Sequence, residues 1–285
     1  MRNLLKGGFR RLAGLQQRRA LGDRCATVIA VSTQKGGVGK TTTSVSLASA
    51  LARYENQRVL LLDLDPQGHV ATAINKQLRP GGGNLSQVLT DESSDREVMD
   101  IICRTTVPNL DVTPLDRNLG STEDLLGTRI GKEYILRDKL QVTRTYYDVI
   151  VIDCPPNIGN LTLNALVAAD QVLIPCDPSP LSLNGVHKLI QTITTIAARL
   201  NPTIDVLGVL LTRVDGRNKL LNQSIRGQIE QEYGTVLLPL QIGTSTSLAQ
   251  AQAQGEDIFG YDHRCRAAKQ YQALAGYISG ELVKE

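Results

Sequence analysis

The sequence predicts an α/β fold, a doubly wound and mostly parallel sheet flanked by helices. Two observations predict it. Short apolar runs rich in Val, Ile and Leu recur from residue 27 onward with little polar alternation, as strands buried on both faces require. Longer amphipathic stretches separate them, and strand alternating with helix is the signature of parallel pairing through crossover connections.

The apolar runs fall at 28–31, 59–62, 110–112, 149–152, 172–174, 206–211 and 236–240. Helices are expected near 41–54, 121–141, 160–168, 182–200, 218–233, 246–254 and 264–283. Pro80-Gly81-Gly82-Gly83 interrupts the rhythm as a loop. Residues 1–24 precede the first strand and read as an appended basic arm, which leaves 25–285 as one domain. No internal repeat or low-complexity tract is visible.

Composition narrows the class. With no Trp and only 2 Phe, aliphatic packing must carry the core. The 5 cysteines are scattered and odd in number, without C-x-x-C spacing, which argues against a disulfide framework or a zinc site and for a reducing cytoplasm. No apolar run approaches the roughly 18 residues of a membrane span. Arginines interrupt the apolar residues of the N-terminus, unlike a signal peptide. The net charge of +3 is uneven: the arm holds seven bases and one acid, so the remainder is mildly acidic.

The chemistry lies in the run VIAVSTQKGGVGKTT, Val28 to Thr42. An apolar strand enters a glycine-rich loop, and Lys40-Thr41-Thr42 opens a helix. In that context backbone N–H groups and a helix N-terminus wrap a polyphosphate, and glycines admit it closely. Lys40 is expected to reach the β- and γ-phosphates of ATP, and the Thr41 hydroxyl to ligate Mg²⁺. Two strands end in carboxylates. VLLLDLDPQG, Val59 to Gly68, carries Asp63 and Asp65, which share a face because alternate strand residues do. YDVIVIDCPP, Tyr147 to Pro156, is a Walker-B-like strand ending in Asp153, expected on Mg²⁺ directly or through water. Cys154 is expected to be a buried, inert thiol.

The strict phosphate-loop pattern wants Gly at position 34, where Gln34 stands, and an extra Lys35 opens the loop. Lys35-Gly36-Gly37-Val38-Gly39-Lys40-Thr41 resembles the deviant P-loop of the ParA/MinD family, most of all its Soj-like partition ATPases. The resemblance extends over about 27–283, through NLTLNALVA at 160–168 and GVLLTRVDGR at 208–217. It implies the P-loop NTPase fold, ATP hydrolysis with Mg²⁺, and an ATP-bound homodimer in which Lys35 reaches the partner's phosphates. It further implies that Asp65 positions the attacking water, that Asp63 lies near the metal with Thr41 and Asp153, and that Pro239 and Gln241 contact adenine. Gln241 stands where the family has an Asn-like residue.

The family resemblance also implies non-specific DNA binding through basic residues of the C-terminal part, a nucleoid-associated place in the cytoplasm, and a ParB-like or cargo adaptor that stimulates hydrolysis. Arg213, Arg217, Lys219 and Arg226 are candidate DNA contacts on one strand–helix unit. Arg264, Arg266 and Lys269 are candidates at the last helix. The segment after Pro239 departs from the pattern, lacking arginines that many ParA proteins carry there. Glu230 stands where a DNA-contacting arginine is expected. Two further readings stay open, a membrane- or partner-docked ATPase of MinD type and a metabolic ligase of related fold. In the arm, Leu4, Leu5, Phe9, Leu12 and Leu15 gather towards one helical face, which suits a partner groove, DNA or an anionic membrane.

Overall fold

The computed structural model describes residues 23–92 and 96–282. The arm reading falls almost wholly on 1–22, outside the described residues. Arg24, counted with the arm, pairs with Asp148, and its N–H donates to the Thr145 carbonyl (3.2 Å) at the start of the sheet.

In chain order the elements are β1 (Thr27–Val31), α1 (Lys40–Tyr54), β2 (Val59–Asp63), α2 (His69–Ala73), α3 (Leu85–Thr90), β3 (Cys103–Arg104), β4 (Leu110–Val112), α4 (Leu119–Gly127) and α5 (Ile135–Lys139). There follow β5 (Val149–Asp153), α6 (Asn160–Ala168), β6 (Gln171–Cys176), α7 (Pro180–Arg199), β7 (Asp205–Val214), α8 (Lys219–Tyr233), β8 (Leu237–Gly243), α9 (Thr246–Gln254), α10 (Ile258–Asp262) and α11 (Arg266–Leu282). The described strands form one sheet in the order β3-β4-β2-β5-β1-β6-β7-β8, parallel except for the antiparallel β3–β4 edge.

Every residue of β2, β5 and β6 is buried, and the reason is the double layer of helices. Ala30, Leu62, Ile152 and Ile174 face one core with α4, α6, α7 and α8. Their neighbours Val31, Leu61, Val151 and Leu173 face a second core with α1 and α11. A strand apolar at every position is what two covered faces demand.

All seven expected strands are present. The helix expected over 121–141 is broken instead into α4, a 3₁₀ turn at Lys132–Tyr134, and α5. The first helix already ends at Gly127, and Gly131, in the left-handed region (φ 70°), leads into the 3₁₀ turn. The helix expected at 264–283 is preceded by the separate α10, capped by Asp257, whose carboxylate accepts the N–H groups of Phe259 and Gly260 at 2.8 Å. The short α2, α3 and β3 have no counterpart in the sequence reading.

The register brings the chemistry together. Val31 and Asp63 both lie level with Asp153, so three adjacent parallel strands end side by side. In an open parallel sheet, ligands gather outside those carboxyl ends.

Candidate nucleotide site

Between β1 and α1 the chain turns through Gly37 and Gly39 with φ of +78° and +89°, a conformation that a β-carbon penalises. A β-carbon added to Gly36 or Gly39 would meet nothing within 4 Å, so the loop presents bare backbone to open space. Gly39 caps α1 without a side-chain acceptor, and the first turn holds no acidic residue. Backbone donors at the positive end of a helix suit an anion of several phosphates. A cavity of about 380 Å³ lies before them, walled by the loop, Thr41, Thr42, Asp65, His69, Thr72, Pro156 and Gln252.

The buried Lys40 ammonium sits 3.8 Å from Asp65 and 3.7 Å from Asp153. The Thr41 hydroxyl donates to Asp153 Oδ2 at 2.6 Å, and the Ser44 hydroxyl to Oδ1 at 2.9 Å. Burial pushes the Asp153 carboxyl up from its usual range, while Lys40, Thr41 and Ser44 pull it back. Thr41 and Asp153 are adjacent hard oxygen donors and fit Mg²⁺, which keeps water and substrate phosphates for the rest of its shell. Cys154 is a fully buried thiol, pushed by burial up to about 12.

Asp63 lies level with Asp153 on the neighbouring strand, and both of its oxygens accept backbone N–H groups. Its Oδ1 accepts the Asp65 N–H (2.9 Å) and its Oδ2 the Val70 N–H (3.3 Å). Burial, then the Asp153 carboxylate, drives its pKa well above the ordinary range. Such a group shapes the turn that carries Asp65. Asp65 in turn accepts the Gln67 N–H at 3.0 Å and keeps its other oxygen towards Lys40.

Lys35 is held within its own chain. Its ammonium donates to both oxygens of Asp177 (3.1 Å each) and to Ser179 Oγ (3.0 Å), where β6 passes into α7. Burial would raise the Asp177 carboxyl, but hydrogen bonds from Ser182, Lys35 and Ser179 outweigh it and hold the carboxyl below its usual range.

The other expected contacts divide. Pro239 and Gln241 line a second cavity of about 560 Å³, whose walls include Arg266, Lys269 and Gln270. Gln241 Oε1 also meets Arg226 Nη2 at 3.5 Å, and Arg226 pairs with Glu230 at 3.6 Å. Arg217 is exposed but closed on Asp215, with Nη2 to Oδ2 at 2.7 Å, which brings that carboxyl to about 2. Lys219 and Arg264 are exposed. Arg213 is exposed as well, and its guanidinium donates to the Gly37 carbonyl of the phosphate loop.

The sequence analysis does not single out Ser44, Asp177, Ser179 or Gln252 as site residues. Ser44 had a usable signal, since it follows Lys40 by one helical turn. Gln252 had none, because it arrives from α9, where Nε2 donates to Thr42 Oγ1 at 2.8 Å. Accepting that bond leaves the Thr42 O–H to point elsewhere, as a hydroxyl has one proton and two lone pairs. Gln252→Leu is expected to weaken ATP binding about fivefold, the worth of one hydrogen bond of about 1 kcal/mol, with an unchanged melting temperature. Titration with a fluorescent ATP analogue checks this.

Strand-end carboxylates, glycine loop and buried lysine define a P-loop nucleotide-hydrolysing protein. Comparison with known proteins specifies it further. A family model described as an AAA domain matches residues 26–206. Over 252 residues the chain is 39% identical to the sporulation initiation inhibitor protein Soj of Bacillus subtilis (strain 168), covering 88% of this chain and 98% of Soj. It is 36% identical over 250 residues to the chromosome partitioning protein ParA of Caulobacter vibrioides, covering 87% and 92%. Among solved structures, cobyrinic acid a,c-diamide synthase from Mycobacterium smegmatis with bound ADP and magnesium is 30% identical at a TM-score of 0.76, over 90% of this chain and 95% of that one. MinD of Pyrococcus horikoshii complexed with Mg-ADP shares the fold, with 20% identity, a TM-score of 0.71 and coverage of 90% and 97%. The chain belongs to the ParA/MinD family and is an ATPase that uses ATP with Mg²⁺.

Proposed function

We propose that this protein is a positioning ATPase of the Soj/ParA kind, which dimerises on ATP and holds non-specific DNA in that state. The observation that carries the reading is the pair of lysines on one loop, Lys40 buried against Asp65 and Asp153 and Lys35 held at its rim by Asp177. One lysine serves the phosphates of its own subunit, and the other, once released from Asp177 and Ser179, reaches those of a partner. The high coverage of Soj and ParA supports the same reading.

In this proposal Lys40 and the loop N–H groups bind the phosphates, Thr41 and Asp153 hold Mg²⁺, and Asp65 orients the attacking water. Bound Mg²⁺ supplies charge neutralisation at the phosphoryl group. Asp63 positions Asp65 through the backbone. Pro239 and Gln241 face the base, with the Gln241 amide nitrogen as donor. Lys219, Arg226, Arg264, Arg266 and Lys269 form the DNA-facing surface. Arg217 contributes only after releasing Asp215. A ParB-like or cargo adaptor would stimulate hydrolysis. No helix among the described residues is long and apolar enough to cross a membrane.

The test is DNA binding with ATP, with ADP and without nucleotide, repeated across salt. ATP-dependent binding with little sequence preference is expected. The affinity should fall linearly on logarithmic axes as salt rises, because phosphate contacts release counterions. Absence of nucleotide-dependent binding at low salt would overturn the DNA part. Hydrolysis stimulated by an amidation substrate rather than by DNA would favour a metabolic ligase, towards which the likeness to the diamide synthase points.

A further inference from the structure

Arg213 stands out in three ways. It is one of three non-glycine residues among those described with positive φ, at 53°. For an L-residue that conformation costs energy, and such strain concentrates at functional positions. The pairing of β7 with β8 shifts register between Leu211 and Val214, around Thr212 and Arg213. A bulge of this kind turns a side chain away from its normal direction on the strand. The redirected guanidinium lands on the phosphate loop, donating from Nη1 to the Gly37 carbonyl, while the Thr212 hydroxyl donates to the Val38 carbonyl at 2.6 Å.

The two carbonyls are consecutive, and their position explains the contact. A loop that aims its N–H groups at phosphate must turn carbonyls away from it. The Gly37 carbonyl shares a peptide unit with the Val38 N–H, and the Val38 carbonyl with the Gly39 N–H. A donor on each carbonyl fixes the plane of the peptide and polarises its N–H, and a charged donor does so more strongly. Preorganised donors of this sort act where charge is bound, without reorganisation on binding.

We propose that Arg213 is a positioning residue of the nucleotide site, which braces and polarises the Gly37–Val38 peptide for phosphate, and is not a DNA contact. The proposal refines the DNA-facing surface described above, yet its decisive measurements need only nucleotide. With the full chain, titration of a fluorescent ATP analogue and steady-state hydrolysis are compared for wild type, Arg213→Ala, Arg213→Lys and Arg213→Gly. Arg213→Ala is expected to raise Kd and KM about tenfold, as loss of one charge-assisted hydrogen bond implies, with the loss in KM rather than kcat. Arg213→Lys, which keeps a cationic donor, should recover to within about threefold of wild type. Arg213→Gly should bind as weakly as Arg213→Ala while melting about 2 °C higher than it, since glycine relieves the left-handed backbone.

That opposition between affinity and stability would not arise from a merely structural side chain. An unchanged Kd for the nucleotide in Arg213→Ala would overturn the proposal. So would failure of lysine to restore affinity. DNA binding at saturating ATP should keep its wild-type salt slope in Arg213→Ala. A slope reduced by about one with unaltered nucleotide affinity would return Arg213 to the DNA surface. If the wild type binds no DNA at all, the proposed DNA function falls and the nucleotide measurements still decide the role of Arg213.

Discussion

Lys40→Ala is expected to lose nucleotide binding by at least about 100-fold, roughly 2.7 kcal/mol, and to unfold more easily at neutral pH than at pH 5. The first effect follows from position. Lys40 is the first residue of α1, at the mouth of the glycine loop, and its ammonium is the cation buried among Asp65 and Asp153. No exposed surface lysine can replace it. The second effect follows from what is left behind. Asp63, Asp65 and Asp153 are all buried, and removal of one partner from a buried ionic cluster costs about 3–5 kcal/mol.

The pH dependence has a definite sign. Burial already raises the Asp153 carboxyl, and the nearby Lys40 charge opposes that rise. Without Lys40 the folded-state pKa climbs further above its unfolded value. A carboxyl raised on folding binds its proton more tightly in the native state, so stability is greatest below the unfolded pKa and is lost as pH rises through the folded one. The deficit of Lys40→Ala against wild type should therefore shrink as pH falls from 7 to 5. Melting curves at several pH values, with isothermal titration of ATP, measure both effects. A pH-independent deficit would mean that Lys40 does not neutralise these carboxylates.

Much of this arrangement was legible because it is local. Strands such as 149–152 announce themselves by unbroken β-branched and aliphatic residues, and those buried on both faces need no alternation to be recognised. The glycine loop is contiguous from Lys35 to Thr41, so its conformation and chemistry are written in one run. What escaped is set by tertiary contact. Lys35 meets Asp177, distant in sequence, because β6 lies beside β1, a pairing that no periodicity encodes. Arg213 reads as a surface base and is exposed, but its contact with the phosphate loop follows from a register shift and a positive φ that the sequence does not announce. Asp63 and Asp65 look equivalent by spacing. Backbone N–H groups of the following turn claim both oxygens of Asp63 and leave Asp65 one oxygen towards Lys40. Alternation along a strand fixes which face a side chain takes, not what it meets there.

Asp65→Ala is expected to bind ATP, hydrolyse it at least about 100-fold more slowly, and accumulate as a dimer. Asp65 is buried beyond the end of β2, with one oxygen on the Gln67 N–H at 3.0 Å and the other 3.8 Å from Lys40. Truncation removes a negative charge from the neighbourhood of the phosphates, so affinity for ATP should stay or improve. It also removes the acceptor proposed to orient water, so the step after binding fails. Asp65→Asn keeps the acceptor for Gln67 and should fold like wild type while remaining slow, which separates the carboxylate's chemistry from its part in the turn. Lys35→Ala is the complementary variant. In the single chain Lys35 rests on Asp177 and Ser179, and in the proposed dimer it must leave them for the partner's phosphates. Lys35→Ala should thus bind ATP within one subunit yet stay monomeric, where Asp65→Ala becomes dimeric. Light scattering with ATP, alongside phosphate release, distinguishes these states. An Asp65→Ala protein that holds ATP and remains monomeric would sink the shared-site model, because ATP would then persist without drawing in a second subunit.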